Sequence, residues 1–538
     1  MAAMLRLDVY INFFRFDMYS RVSGALELNL RFWNHFLKPA AKEKKMNINT
    51  KPQSSNQSFL LLTVILGLLT AMGLVVAGQR GTKWLVAAVF GMMFFYGLLI
   101  TTRNFKQFFL ALAVFCLPIR LNFHLIYKAT NYSQHKGLAV GLFDIFFASL
   151  FLYWILQLLL KQQKFKFYPI ISIPALGYLT FAGISAFLSQ DKTLSFAMFI
   201  ILLRGYLIFL YFANNVRSDK EIYLIMAMLM GGVLIQFLVG SLQYVTGGTL
   251  GLTLFGEGDR AFRTTLAGAG VVSRVGATIG DPNTLAMYLN FILPLIFCFV
   301  FVRTKRIYKW IAATVFILGG ITEILTMSRG GWIALTAAVS IGLYGILKKR
   351  YNSRFKSYVL TMTAIILITL PVIIMFVDVQ KRLFEDDYGA AYGRIPQMKV
   401  AFNIIARHPF TGIGLNNYTT VMNRYDHTRE FKSYQFPYPV HNAFLLIAAE
   451  SGLLALFCFV LMFAGVFKTA FSFFKSNDQF LSILGIGSFG GIVTWLIHAQ
   501  FRMDFANPFL WFFISLLVAI SQLIQLQKKD APQRNGYE

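Results

Sequence analysis

Three arginines and one histidine, far apart in the sequence, lie beside or between long apolar segments. Arg274 precedes a segment that begins near residue 283, Arg329 lies on a short turn between two others, and His441 begins a further one. Arg394 lies in the polar stretch before His441. Arginine binds phosphate oxygens through paired hydrogen bonds, and histidine titrates near neutral pH. These residues therefore suit displacement of a phosphate leaving group by a hydroxyl, with His441 as general base.

Three further charged residues lie inside apolar segments. Arg204 is in the middle of one segment, Glu323 is near the end of another, and Glu450 follows His441 in a third. A charged side chain inside a membrane helix is costly unless it is paired, so each is a candidate functional residue. We interpret the glutamates as partners of arginines rather than as acids in catalysis. Arg204 is expected to contact a lipid phosphate or one of the glutamates, and all three are candidates for substrate binding.

Each of these residues also has a purely structural interpretation. Arg329 could extend to lipid headgroups, Arg274 could brace its own loop, and His441 could cap a helix. The basic residues between Lys381 and Lys432 are equally typical of a solvated surface. No single residue decides between the interpretations, so the hypothesis depends on the elements that bring the set together.

The composition predicts that these elements are membrane helices. Of the 538 residues, 57% are hydrophobic and 14% are charged, whereas about 25% are charged in soluble domains. The apolar residues form runs of about 20, which is the length that a helix needs to cross a bilayer, and the alternation of a membrane β-barrel is missing. We predict an all-α polytopic integral membrane protein with about 12–14 transmembrane helices. The candidate segments are 58–78, 83–102, 105–121, 137–160, 169–189, 193–215, 221–245, 283–303, 309–327, 330–348, 357–377, 441–468, 480–500 and 505–526.

The distribution of basic residues predicts the orientation of these helices. The chain carries a formal charge of +27, and its basic residues concentrate in alternate short loops. Because such residues favour the cytoplasmic side, both termini are expected inside, and the long basic loops 246–282 and 378–440 outside. We therefore expect a cytoplasmic or interfacial extension at 1–57, a transmembrane domain at 58–526 and a cytoplasmic tail at 527–538.

The second long loop contains a predicted amphipathic helix. Apolar residues recur at helical spacing between 392 and 408, Pro396 suits a first turn, and Pro409 suits a stop. We expect this helix to lie on the outer membrane surface.

The N-terminal extension has two interpretations. Residues 1–37 mix aromatic residues with arginines, which is typical of an interfacial helix. Met46 begins a plausible shorter chain, so the preceding residues could equally be an artefact of the start site. A secretory signal is not expected, since a clean apolar core and a cleavage site are missing.

The sequence contains no motif for nucleotide binding, metal-dependent hydrolysis or nucleic-acid binding. The sequence has no GxxxxGK[ST], GxGxxG or HExxH pattern, and Cys116, Cys298 and Cys458 all lie in apolar runs. We expect no cofactor and no metal. No nucleic-acid-binding motif accompanies the basic residues, so nucleic acid is not an expected partner.

Four blocks of the chain resemble, in order and spacing, the family of O-antigen ligases and related O-antigen or exopolysaccharide polymerases. The resemblance covers roughly residues 135–525 and is strongest over 270–455. The stretch LIHAQFRMDFANPFLWFFISL also looks familial. The blocks are RVGATIGDPNTLAMYL from Arg274, TMSRGGWIAL from Thr326, ARHPFTGIGLNNY from Ala406 and VHNAFLLIAAESGLLAL from Val440.

The resemblance implies a glycosyltransferase of the GT-C type in the bacterial inner membrane, with its site facing the periplasm. The implied donor is a glycan on undecaprenyl diphosphate, and the acceptor is a glycolipid or a lipid-linked glycan within the membrane lipids. The essential arginines and histidine of the family correspond to Arg274, Arg329 and His441, which would carry out an inverting, metal-independent transfer. Arg394 lies in a familiar block as a substrate-binding candidate. Tyr418 and Asn442 lie in matching blocks, where they would bind substrate or support the loop.

Alternatives remain open at this stage. The motifs do not separate a ligase from a polymerase or from a protein O-oligosaccharyltransferase. A secondary transporter of a small anion is the alternative of another class, but it should show internal repeats and charged or broken helices at mid-membrane, and no clear repeat is present. The chain also departs from the family by having about fourteen spans rather than twelve, and an extended N-terminus.

Overall fold

The computed structural model describes residues 104–128, 135–258, 262–266, 270–351, 353–363, 394–427 and 437–534. In this part of the chain, ten helices are long and apolar enough to cross a membrane. The predicted all-α polytopic fold is confirmed. The predicted spans 58–78 and 83–102, and most of 357–377, lie outside the described residues.

The helices are numbered here in chain order, and two antiparallel hairpins interrupt them. The hairpins pair β1 (Asn122–Tyr127) with β2 (Gly137–Gly141) and β3 (Phe262–Leu266) with β4 (Gly270–Arg274). The helices are α1 (Phe105–Cys116), α2 (Leu142–Leu159), α3 (Pro169–Leu188), α4 (Lys192–Asn215), α5 (Asp219–Thr246), α6 (Pro282–Phe301), α7 (Arg306–Leu325), α8 (Arg329–Tyr351), α9 (Arg394–Arg407), α10 (Tyr418–Val421), α11 (Ala443–Ser451), α12 (Leu453–Phe473), α13 (Gln479–His498) and α14 (Pro508–Arg534).

Polar side chains define where several helices begin. Asp281 accepts a hydrogen bond from the Thr284 backbone at the start of α6, and Asn442 accepts one from Leu445 at the start of α11. Such N-caps satisfy backbone N–H groups that have no partner within the helix. The starts of α6 and α11 are therefore fixed by local sequence.

Glycines of α13 set the centre of the bundle. A Cβ atom at Gly491 would lie 2.3 Å from the Phe291 carbonyl oxygen of α6, and one at Gly487 would lie 2.9 Å from the Leu295 Cα. Membrane helices associate through close packing of small residues, because lipid provides no hydrophobic drive between them. The glycines of the predicted span 480–500 thus form the packing face of a central helix.

Two predicted spans differ from the structure. The segment 441–468 is not one helix but two, α11 and α12, separated by Gly452 at φ +88°. The predicted span 105–121 contains the twelve-residue α1, which ends at Cys116 and is too short to cross. In both cases the apolar run continues across a break that only the backbone reveals.

The predicted amphipathic helix of the long loop is confirmed as α9. Its residues Val400, Ala401 and Ile404 are buried, while Ile395 and Phe402 are exposed. The helix ends at Arg407, just before Pro409, as expected.

We expect Gly452→Ala to destabilise the protein. The residue has φ +88°, and a Cβ atom would meet the Phe410 carbonyl oxygen at 2.1 Å. Backbone strain of this kind costs about 1–3 kcal/mol, and the clash adds to it. The apparent thermal midpoint in detergent should fall. Gly320→Ala in α7 is the matched control, since a Cβ atom there meets nothing within 4 Å and should not lower the midpoint.

Candidate functional site

Arg274 joins the start of α6 to the turn between α7 and α8. Its Nη2 donates to Asn283 Oδ1 at 2.8 Å, and its Nε donates to the Thr326 carbonyl oxygen at 2.9 Å. The neighbouring Val275 N–H donates to the Leu325 carbonyl oxygen at 3.2 Å. The end of β4 is thus held against the turn that leads into Arg329.

Arg329 is the first residue of α8 and is half-buried. The turn before it (residues 326–328) is tight, with Met327 at φ +51°. The following Gly330 lies beside the ring of Phe501, since a Cβ atom there would be 3.8 Å from the ring. Phe501 belongs to the α13–α14 segment (residues 499–507), which therefore reaches the start of α8.

Arg502 of the α13–α14 segment binds the start of α6. Its Nη2 donates to Thr284 Oγ1 at 2.7 Å and lies 3.3 Å from Asp281 Oδ1. Burial alone would raise the pKa of Asp281, but Arg502 and the hydrogen bonds from Thr284 outweigh burial and lower it, so the carboxylate is ionised at neutral pH.

Arg502 is not among the residues predicted from the sequence. It lies on a short turn between two apolar segments, as Arg329 does, and this position could have identified it.

His441 is oriented by α9. Its Nδ1 lies 3.1 Å from Gln397 Oε1. With the amide oxygen as the acceptor, this contact favours the tautomer that has its proton on Nδ1 and a lone pair on Nε2. Gln397 was missed in the sequence because a glutamine in an amphipathic helix carries no signal of its own.

Asn442 and Ala443 attach the start of α11 to the α13–α14 segment. Asn442 Nδ2 donates to Gln500 Oε1 at 3.2 Å, and the Ala443 N–H donates to the Ala499 carbonyl oxygen at 2.8 Å. Asn442, a predicted substrate-binding residue, acts here as a helix cap and an anchor.

The surroundings of His441 disfavour its protonated form. Burial lowers the pKa of His441 to about 4, and the positive charges of Arg394 and Arg502 act in the same direction. The guanidinium of Arg394 lies 6.0 Å from the centre of the Phe501 ring. His441 is therefore neutral at pH 7.

The starts of four helices, α6, α8, α9 and α11, connect through the α13–α14 segment. Helix N-termini carry partial positive charge, which favours a nearby anion, although Asp281 and Asn442 already accept hydrogen bonds from backbone N–H groups at the starts of α6 and α11. The structure adds Arg274, Arg329, Arg394 and Arg502 to these ends, and Arg394 and Arg502 are close enough to act on neutral His441. The arrangement can bind a multivalent anion next to a base.

Arg204 has a different partner from the one expected. Its Nη1 donates to both carboxylate oxygens of Asp144, each at 2.9 Å, and not to Glu323 or Glu450. The bond requires α2 and α4 to lie side by side, so the sequence could not select Asp144. Arg204 lines a cavity that also includes Asp281 and Thr284 at the start of α6.

Glu450 supports a loop rather than pairing with an arginine. Its two carboxylate oxygens accept hydrogen bonds from the backbone N–H groups of Asn416 at 2.9 Å and Tyr418 at 3.2 Å. Tyr418 in turn donates its hydroxyl to the Gln397 carbonyl oxygen at 3.3 Å. The two predicted substrate-binding residues Glu450 and Tyr418 thus hold the helix that orients His441.

Glu323 lies in a buried polar cluster beneath the α7–α8 turn. Its Oε1 accepts a bond from Asn290 Nδ2 at 3.3 Å, and Asn290 Nδ2 also lies 3.0 Å from His498 Nε2. The expected arginine partner is therefore replaced by an amide. The cluster connects α6, α7 and α13 below Arg329.

We expect Glu450→Ala to lower stability. The substitution leaves two buried backbone N–H groups without an acceptor, at about 1–3 kcal/mol each. Glu450→Gln retains one acceptor and should lose less. The measurement is the apparent thermal midpoint of both variants in detergent. An unchanged midpoint in Glu450→Ala would contradict the loop-supporting role.

One comparison with known proteins finds a family match. Residues 313–460 match the family model described as O-Antigen ligase, a range that includes Arg329, Arg394 and His441. A search of curated proteins gave no match. The chain is therefore a multi-pass membrane protein of the glycosyltransferase type, and its residues 313–460 are similar to the O-antigen ligase family.

Proposed function

We propose that the protein transfers a glycan from undecaprenyl diphosphate to an acceptor hydroxyl, as an O-antigen ligase or polysaccharide polymerase. The observation that carries this proposal is the connection of four helix starts, four arginines and His441 through the α13–α14 segment. We place the site at the periplasmic face of the inner membrane, within a transmembrane domain at 58–526 between an N-terminal extension and a cytoplasmic tail. The acceptor is a glycolipid or a lipid-linked glycan, with a protein acceptor as the alternative.

The arginines act on the leaving group. Arg274 and Arg329 bind the diphosphate of the donor and stabilise the charge that develops as its bond to the sugar breaks. Arg394 adds a further positive charge from α9. Because guanidinium groups stay charged at any working pH, this stabilisation requires neither a metal nor a nucleotide.

His441 acts on the nucleophile. Its Nε2 accepts the proton of the acceptor hydroxyl while the hydroxyl oxygen bonds to the anomeric carbon. The bond between that carbon and the phosphate oxygen breaks, and the electron pair leaves with the lipid diphosphate. Attack opposite the leaving group inverts the anomeric configuration.

Binding of the donor is expected to activate His441. A pKa of about 4 makes the imidazole of the protein alone a weak base. The negative charge of a diphosphate bound by Arg274 and Arg329 offsets the positive charges of Arg394 and Arg502 that disfavour the imidazolium, so the pKa of His441 rises towards neutrality. The base thus becomes effective when the leaving group is in place.

We expect Arg329→Ala and His441→Ala each to reduce transfer by about 100-fold or more, the usual cost of removing a group that acts in the transition state. The measurement is glycan transfer by the purified full chain from an undecaprenyl-diphosphate oligosaccharide. Lys399→Ala is the matched control, because it removes an exposed cation from α9 and should leave the rate unchanged. Full transfer by either site variant would overturn the proposal, and an anion transporter would give no transfer product at all.

The pH dependence provides a separate check. The ratio kcat/KM reports the free enzyme and should fall only below about pH 4, where His441 becomes protonated. The kcat profile reports the donor complex and should fall at a higher pH. Arg394→Gln removes a positive charge that lowers the pKa of His441, so it should move the acid limb of kcat/KM to higher pH.

Lys399→Gln should not move this limb. Identical acid limbs for kcat and kcat/KM would contradict the activation of His441 by the donor.

A further inference from the structure

A cavity of about 470 Å³ opens beside the start of α6 and the α13–α14 segment. This volume is within the range of small-molecule sites, about 300–1,000 Å³. Its walls come from the β1–β2 hairpin, α2, α4 and the residues around the start of α14, all outside the matched range 313–460. Its polar lining includes Arg120, Asn122, Asp144, Arg204, Arg502 and Asp504.

Paired charges form much of this lining. Arg204 binds both oxygens of Asp144 at 2.9 Å, and Arg502 lies 3.3 Å from Asp281. Asp504 accepts a bond from Asn507 Nδ2 at 3.2 Å. Moving an ion pair out of water is often no more favourable than apolar packing, so stability does not explain these pairs. Ionisable groups in membrane proteins that face a cavity mark substrate pathways.

The balance of charge favours a neutral, hydroxyl-rich ligand over an anion. Four cationic side chains and three carboxylates line the cavity. Burial lowers the pKa of His135 to about 4, partly opposed by Asp504, so this histidine adds no charge at pH 7. Carboxylates accept hydrogen bonds from hydroxyls, and guanidinium groups donate to them. The rings of Phe143 and Phe509 add apolar surface.

The cavity and the candidate functional site share residues. Asp281, Thr284 and Arg502 line the cavity, and the same three residues bind each other at the start of α6. The adjacent Asn283 holds Arg274. A ligand in the cavity is therefore next to the residues proposed to hold the diphosphate.

We propose that this cavity binds a sugar residue of the glycan substrate and selects which sugar reacts. The inference rests on the proposed function for the identity of the substrate, but not for the existence of the site. Because its walls lie outside residues 313–460, the choice of sugar is set by different segments from those that carry His441 and Arg329.

Photo-crosslinking tests the location directly. The full chain in detergent is labelled with diazirine derivatives of N-acetylglucosamine and galactose, and the labelled peptides are identified by mass spectrometry. We expect label in the β1–β2 hairpin or around Asp504, competed by the unmodified sugar. Label elsewhere, or no competable label with either sugar, would overturn the inference. Competition by inorganic diphosphate instead of sugar would indicate an anion site and would overturn it too.

Filling the cavity tests the assignment without removing a charge. Ala139 lines the cavity, so Ala139→Trp should reduce specific labelling by about tenfold or more, equivalent to about 1.4 kcal/mol of binding. Leu176→Trp adds the same ring to an exposed position of α3 and should label like the parent protein. If Ala139→Trp fails to fold, Asn122→Leu at an exposed position of β1 replaces it. Unchanged labelling in a folded cavity variant would contradict the proposal.

The same measurements separate this inference from the proposed function. Arg329→Ala should lose transfer but keep specific sugar labelling. Labelling of the cavity by a protein that transfers no glycan would overturn the proposed function alone. Transfer by the parent protein together with unlabelled cavity peptides would overturn the sugar site alone. In transfer assays Ala139→Trp should raise KM more than it lowers kcat, since the cavity contributes binding.

Discussion

The close contact between α6 and α13 determines where the polar groups of this protein can meet. Gly491 brings the two backbones together, so that the start of α6 and the end of α13 lie near one another. Arg502 then reaches Asp281 and Thr284 across that gap. A larger residue on this face of α13 would separate the helices, and Arg502 would no longer reach the start of α6.

The electrostatics of the site follow from this packing. Arginines and helix starts are brought together, and half-burial strengthens their effect on His441. Two of the predicted substrate-binding residues contribute indirectly, since Glu450 and Tyr418 hold the helix that carries Gln397. The orientation of His441 thus depends on a loop that lies within the matched range 313–460 and holds α9 through backbone and hydroxyl contacts.

The sequence predicts the elements of this fold better than their contacts. Apolar length identifies most spans, and helical spacing identifies α9, because both are local properties of the chain. The break at Gly452 cannot be predicted from the sequence, because the apolar run is continuous there. Only the positive φ of Gly452 separates α11 from α12. The bond between Arg204 and Asp144, and the roles of Arg502 and Gln397, depend on which helices are neighbours, and a single sequence does not contain that information.

The break at Gly452 also determines which helix has to match the thickness of the membrane. α12 alone has 21 residues, about 31 Å at 1.5 Å per residue, which matches a hydrocarbon core of about 30 Å. α11 therefore does not need to cross the bilayer. Contacts with Gln397, Ala499 and Gln500 position His441. The thickness of the membrane therefore acts directly on α12, whereas protein contacts set the position of α11 and His441.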